Sequence, residues 1–329
     1  NGRVRAPRNQ RGAALLTVLL LVAVIGVIAA ASLERLKLQT HLSGNMAAID
    51  QARHYAYAGE AIARTRISDA SSADRTMTVS GDWLDRANAF PIDNGAATVK
   101  VSDGGNCFNL NSLVSQSEQG ERVIRPVAVR QFEALMTLIG IQPRAAGQVA
   151  QASVDWIDSD TLPQPGGAED ETYTRAPTPY RAANALMADA SEIKAVAGMD
   201  PAIYARIRPW ICALPAAELS PLNINTLRRD QAPLVAMLLP DGLSLAFAQR
   251  MIDERPATGY SAVENFWSKP ALRGISPPVE VMAQTKIKTR WFALEMQIEL
   301  GGAELTELAL IDGAANPAKI VRRSWGDGG

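Results

Sequence analysis

Six carboxylates fall within seventeen residues of this chain: Asp155, Asp158 and Asp160, then Glu169, Asp170 and Glu171. Like charges at such density repel one another unless a cation or basic side chains offset them. Ca2+ takes roughly 6–8 oxygen ligands, and alternating acids around a loop that contains glycine and proline can supply them. The D-x-D spacing of Asp158 and Asp160 is shared with EF-hands, but no glycine stands at the sixth loop position, which argues against that motif. No histidine or cysteine lies nearby, so zinc and iron are poor fits. The competing reading is a solvated acidic loop whose aspartates cap helices.

Other chemistry is sparse. The two histidines, His41 and His54, fall in one long helical segment, and no nucleophile elbow, zincin motif, P-loop or dinucleotide fingerprint is present. We therefore expect a protein that is not an enzyme. Formal net charge is -1, and removal of the four N-terminal arginines makes the rest more acidic, which is no electrostatic footprint for nucleic acid. Cys107 and Cys212 each precede one copy of a weak repeat, FNLNSL at 108–113 and LNINTL at 222–227. An exported chain could oxidise them to a disulfide; two buried thiols are the other reading. In each repeat the asparagine followed by Ser or Thr reads as the entry to a helix, where such residues act as N-caps.

The elements that must position these groups begin with Ala13–Leu33, 21 residues without a charge, directly behind a segment carrying Arg3, Arg5, Arg8 and Arg11. At ~1.5 Å per residue the run spans ~31 Å, one bilayer core. The arginines place the N-terminus in the cytoplasm and the bulk of the chain across the membrane. Apolar or small residues then continue at Leu38, Leu42, Met46, Ile49, Ala52, Ala56, Gly59 and Ala63, with no proline between Ala13 and Ile67, so one helix flows from anchor into a stem over 34–68. Strands are expected at Ala97–Ser102, Trp291–Leu300, Glu304–Ile311 and Ala318–Ser324, the second alternating cleanly. Between them the pattern is helical: Val127–Ile139, Arg144–Trp156, Ser191–Val196, Pro201–Arg206, Asp230–Leu239 and Leu245–Arg255. The simplest architecture is α+β: a long N-terminal helix and a small antiparallel sheet (69–110 and 287–325) interrupted by an α-helical domain at 111–286.

The leader, residues 1–12, with Gly12 just before Ala13, resembles the type IV prepilin leader, which implies cleavage between Gly12 and Ala13 by a prepilin peptidase. That family carries glutamate at the fifth mature position, whereas Thr17 stands here. A glutamate in lipid is costly without a partner, so a subunit with no neighbour above it has little use for one. This departure, the FNLN segment, D-W-I-D-S-D, G-A-E-D-E-T-Y and P-Y-R-A-A-N together resemble minor pseudopilin K of type II secretion systems. The resemblance implies a pilin-like fold with a large helical insertion and a structural calcium site. Asp158, Asp160, Glu169 and Asp170 would be its foremost ligands, with Asp155, Glu171 and Tyr173 weaker. It further implies the I and J minor pseudopilins, the major pseudopilin and the inner-membrane secretion platform as partners, and a place at the tip of the pseudopilus. The segment from LNINT through Pro240-Asp241-Gly242 to Val263–Phe266 also resembles a helix-hairpin-helix module of the competence kind, for which the alternative function is a membrane-anchored periplasmic DNA-binding protein. Its hairpin carries one glycine and an acid where DNA phosphate would sit, which disfavours that role.

Overall fold

The computed structural model describes residues 9–73, 76–78, 83–269, 272 and 275–326; Arg3, Arg5 and Arg8 of the leader, and Asp82, lie outside them. Helix α1 (Asn9–Ala73) is one unbroken rod containing anchor and stem. Nothing in its sequence stops it, because no proline occurs within it. Along Leu15–Met46 its large apolar side chains are exposed, and it is the one helix among the described residues long and apolar enough to cross a membrane. Inside the apolar run Thr17 satisfies its own hydroxyl by donating to the Ala14 carbonyl (2.9 Å).

The upper part of α1 lies on a five-stranded antiparallel sheet whose order is β1 (Ala87–Ile92), β2 (Gly95–Asp103), β9 (Trp291–Leu300), β10 (Ala303–Asp312) and β11 (Lys319–Trp325), the first two forming one edge hairpin. Small residues at helical spacing, Ala52, Ala56, Gly59 and Ala63, let helix and sheet approach closely. A Cβ on Gly59 would stand 2.5 Å from the sulfur of Met296, so the Met296 side chain would have to move to admit one.

The chain then leaves the sheet at Asp103 for the insert. Its first lobe runs through β3 (Phe108–Asn109), β4 (Val114–Gln116), β5 (Arg122–Ile124), α2 (Pro126–Leu138), α3 (Pro143–Ile157), α4 (Asp170–Tyr173), α5 (Pro201–Ile207) and β6 (Ile211–Cys212). The second lobe follows with β7 (Leu222–Asn223), α6 (Ala232–Ala236), α7 (Leu245–Asp253), α8 (Val263–Trp267), α9 (Val279–Gln284) and β8 (Thr285–Lys286). The sheet resumes with β9 (Trp291–Leu300), β10 (Ala303–Asp312) and β11 (Lys319–Trp325). Gly301 and Gly302, at φ +58° and +85°, close the β9–β10 hairpin, since two successive left-handed positions suit glycine.

Each lobe is closed by a two-residue parallel pair, β3 with β6 and β7 with β8, and Cys107 and Cys212 are joined by a disulfide beside the first. The insert therefore opens at Gly104, not at Asn111, and ends at Arg290. Phe108–Asn109 pair with Ile211–Cys212 instead of extending the sheet, because the Asn109 amide donates to the carbonyls of Ala216 and Glu218 (3.0 and 2.8 Å) within the insert.

The helix-entry reading of Asn111 and Asn225 does not hold: the side chain that caps the 3-10 turn Leu110–Leu113 is that of Asn109, two residues earlier, and Asn111 and Asn225 serve another purpose. Fully buried Asn111 donates to the carbonyls of Met187 and Leu214 (2.9 and 2.8 Å) and accepts from the Met187 N–H (2.8 Å). Asn225 holds Tyr260 in the same way, donating to its carbonyl (3.0 Å) and accepting from its N–H (2.7 Å). Each asparagine thus ties a loop remote in sequence to the turn that follows the lobe's first strand.

Buried amides left without partners cost ~1–3 kcal/mol each. Asn111→Ala is expected to destabilise the protein by roughly 2–4 kcal/mol, read as a shift of the urea midpoint. Exposed Asn88→Ala should change it by less than ~0.5 kcal/mol.

Candidate metal centre

The acidic stretch is built by the end of α3 and the start of α4. The face of α3 carrying Val149, Ala150, Ser153, Val154 and Ile157 is buried in the lobe core. This burial carries Asp155, one residue from Val154, beneath the following loop. The helix ends at Asp158, whose backbone is extended (φ -66°, ψ -179°), and the loop to Glu169 returns the chain to the same place.

Asp155 is fully buried and spends both oxygens on that loop: Oδ1 accepts from the Gln164 N–H (3.0 Å) and Oδ2 from the Ala168 N–H (2.6 Å). A Cβ on Gly167 would lie 2.0 Å from Asp155 Oδ2, so the loop passes this carboxylate only as glycine. Burial pushes the Asp155 carboxyl up, against the pull of those two backbone donors.

Asp158, Asp160 and Glu169 converge. One carboxylate oxygen from each lies within 4.8 Å of the others, close enough for a single ion to bridge them. Asp158 and Glu169 are 1% and 5% exposed, and Asp158 Oδ1 and both Glu169 oxygens have no donor among the described residues. Buried carboxylates without donors are unfavourable, and the acidities register it. Burial, then the charges of Asp160, Asp155 and Glu169, push Asp158 up to about 7, with Arg122 pulling the other way. Burial and the Asp155 charge push Glu169 up to about 7 as well. The all-oxygen donor set, with two of three members buried and orphaned, fits a hard divalent cation.

The remaining candidates are turned elsewhere. Asp170 accepts from the Arg181 guanidinium (3.1 Å) and the Ala182 N–H (3.0 Å), so it fastens the next loop and is not in the group. Exposed Glu171 pairs with Arg175. Tyr173 is no ligand in this arrangement: its hydroxyl accepts from the Ala197 N–H (3.2 Å), and its ring packs against Trp156 and Tyr180 at 5.3 and 5.1 Å. Burial raises that hydroxyl to about 12, so it stays protonated.

Two contributors escaped the acidic pattern. Arg122, from β5, donates to the carbonyls of Ile157 and Asn184 and brings a positive charge beside Asp158. Asn184, at φ +43°, donates to the Asp160 carbonyl (3.4 Å) while its own Oδ1 is buried without a donor. The only sequence signal for Asn184 was its place at the end of P-Y-R-A-A-N. Arg122, on the short β4–β5 hairpin, had none.

In the would-be hairpin of the second lobe, Gly242 N–H is spent on the Leu239 carbonyl (3.0 Å) and Asp241 is exposed. The Cys107–Cys212 disulfide closes the lobe that carries the acidic cluster. Gly12, at the expected cleavage point, is within the α1 backbone, and the residues before Asn9 lie outside the described ones.

Family models described as type II secretion system (T2SS), protein K match residues 106–216 and 222–290, the two lobes almost to the residue. The type II secretion system protein K of Pectobacterium carotovorum is 31% identical over 328 residues, covering 97% of each chain. That of Klebsiella pneumoniae is 32% identical over 319 residues, with the same coverage. The chain belongs to the type II secretion system protein K family. Among solved structures it matches a chain of the GspK-GspI-GspJ complex from enterotoxigenic Escherichia coli, at a TM-score of 0.75 and 27% identity, over 84% of this chain and 96% of that one. The family fold thus contains the long helix, the antiparallel sheet and the helical insert expected from sequence.

Asp155 and its neighbours have separable roles, which substitution can resolve. Asp155→Ala is expected to cost ~2–4 kcal/mol in urea unfolding, because buried N–H groups of Gln164 and Ala168 lose their acceptor. It should also open the 159–168 loop to proteolysis. Glu171→Gln, which removes only an exposed ion pair, should stay within ~0.5 kcal/mol of wild type.

Proposed function

We propose that this chain is a minor pseudopilin at the tip of a type II secretion pseudopilus, anchored in the inner membrane with its sheet and insert in the periplasm. The observation that carries the reading is where the insert leaves the sheet. The β9–β10 hairpin lies beside Ala48, low on the stem, since a Cβ on Gly301 would touch that of Ala48 (3.6 Å). The opposite end of the sheet lies beside Ser71, whose carbonyl accepts from Lys288 at the exit of the insert. At ~1.5 Å per helical residue the insert therefore sits ~35 Å farther from the apolar run than the hairpin does. A subunit stacked beyond it along α1 would meet two helical lobes, so the position suited to this chain is the last one.

The role is structural and not catalytic. The exposed apolar residues of α1 would pack first against lipid and then against the helices of neighbouring subunits. Thr17, which needs no charged partner, suits a helix with nothing above it. The solved relative assembles with GspI and GspJ, which supports the same partners here. Initiation or capping of the fibre with them, and processing of the leader by a prepilin peptidase, complete the reading.

We propose further that Asp158, Asp160 and Glu169 hold Ca2+, with Asn184 Oδ1 available as a neutral fourth oxygen. The ion would offset the mutual repulsion of the carboxylates and fix the long loop that follows α3.

Two measurements test these proposals. The full chain in detergent should co-purify with its I and J counterparts, and failure to do so in both calcium and chelator would overturn the tip assignment. Calcium at a hundred times its dissociation constant should stabilise the protein by about 2.7 kcal/mol. Glu169→Gln should erase that gain while leaving the chelated protein as stable as wild type or more so. A wild-type melting curve indifferent to chelator would refute the calcium site.

A further inference from the structure

Where α1, β10 and β11 meet, two buried glutamates share one arginine. Glu60, on the face of α1 that carries Ala56 and Ala63, is 5% exposed, and Glu307 of β10 is 0% exposed. Arg323 of β11 donates through Nε to Glu60 Oε1 (2.5 Å) and through Nη2 to Glu60 Oε2 (2.6 Å), so Glu60 is held by both its oxygens. Glu307 receives only a share of the same Nε, at 3.1 Å, and its Oε2 is buried with no donor among the described residues. One guanidinium offsets one carboxylate, leaving the second unbalanced inside the joint between stem and sheet.

The surroundings do not supply the missing charge directly. From α1, Arg64 acts on Glu60 but spends its Nε on the Ala318 carbonyl (2.7 Å), and Tyr57 offers its ring to the Arg323 guanidinium at 5.0 Å. From β9 the residue opposite Glu307 is Met296, which is apolar. Protonation of Glu307 removes the surplus charge and gives its carboxyl a hydrogen to donate toward Glu60.

We propose that Glu60 and Glu307 form a proton-holding pair, so that docking of the stem helix on the sheet takes up one proton from solvent. This is independent of the tip assignment and of calcium. The acidities agree with the geometry. Burial, then the hydrogen bond and charge of Glu60, push Glu307 up to about 8. Burial alone would raise Glu60 too, but the hydrogen bonds from Arg323 and Glu307 and the charges of Arg323 and Arg64 outweigh it and hold Glu60 below the usual glutamate range.

The sign follows from linkage. A carboxyl whose folded value lies above its unfolded one stabilises fully below the unfolded value, near 4.5, and loses that contribution as pH rises through about 8. The joint therefore weakens from weakly acidic to alkaline pH.

Hydrogen exchange of the full chain in detergent micelles reads this directly. After correction for intrinsic rates, protection of amides in 48–70 is expected to fall at least tenfold between pH 6 and pH 9 in wild type. Glu307→Gln, neutral and of the same shape, should give a flat profile, whereas Glu60→Gln should weaken protection at both pH values. A flat wild-type profile, or an undiminished slope in Glu307→Gln, would overturn the proposal. Should Glu307→Gln fail to fold, carboxyl-carbon NMR of Glu169→Gln, which lacks the other glutamate raised to about 7, decides: one glutamate titrating above pH 6.5 supports the pair, and none doing so sinks it.

Discussion

The whole molecule depends on one strand pairing, that of β2 with β9. Asp103 and Phe292 are register partners, and Gly104 N–H donates to the Trp291 carbonyl (2.8 Å), so the chain leaves the sheet and re-enters it at adjacent positions. An insert whose ends are already neighbours adds little loop-closure entropy to the sheet, and the sheet can form much as it would around a short turn. The insert in turn is free to build its own core, which runs unbroken from Phe108 to Val281. Asp103 secures the junction, accepting from the hydroxyls of Thr226 (2.7 Å) and Thr289 while its Oδ1 accepts from Gly105 N–H (2.9 Å). Burial raises the Asp103 carboxyl and these donors lower it, the usual balance at a polar hub that orients two bodies.

Much of this was legible where one physical signal dominates. In β9 the alternation of Phe292, Leu294, Met296, Ile298 and Leu300 fixed the strand to its ends, because one face must bury against α1 and the other must not. The absence of proline fixed α1 equally well. Strand β1 went unread for the opposite reason. It is an edge strand, exposed almost throughout, and Pro91 is tolerated because its missing N–H belongs to the unpaired side. The insert boundary and the role of Asn111 and Asn225 were illegible because their partners, Met187 and Tyr260, are distant in sequence, and local capping chemistry is the stronger nearby pattern.

In the acidic cluster, sequence could name the acids but not rank them. Asp155, Asp158 and Asp160 differ little in local spacing, yet the fold assigns Asp155 to backbone N–H groups, Asp158 to an orphaned position and Asp160 to the surface. The difference arises from the end of α3, which turns Asp155 under the loop and leaves Asp158 as the first extended residue. Asp170 likewise shares its sequence neighbourhood with Glu169, but successive residues at a helix start point in different directions, and Arg181 was there to receive it.

The two lobes share closing strands and asparagine clasps, but among the described residues only the first has a covalent tie and a cluster of converging acids. Their loops account for the difference. Between α3 and α5 the first lobe crosses residues 158–200 with only α4 and one 3-10 turn, an expanse whose ordering costs ~1–2 kcal/mol per residue. A crosslink over a separation of 105 residues removes about 4.7 kcal/mol of unfolded-state freedom in the chain-entropy account, but it acts only on the ends of the lobe. It leaves the interior loop as mobile as before. That loop needs its own fastening, and Asp155 and Arg122 provide it through backbone N–H and carbonyl groups. The second lobe has shorter connections, and the Trp267 indole N–H on the Thr285 hydroxyl (2.9 Å) with Arg255 on the carbonyls of Ile224 and Leu227 (3.1 and 2.7 Å) fastens it with neutral acceptors and one cation. A guanidinium on backbone carbonyls, Arg122 in one lobe and Arg255 in the other, is common to both, and the first lobe adds a buried carboxylate, Asp155, because its longer loop also turns backbone N–H groups inward.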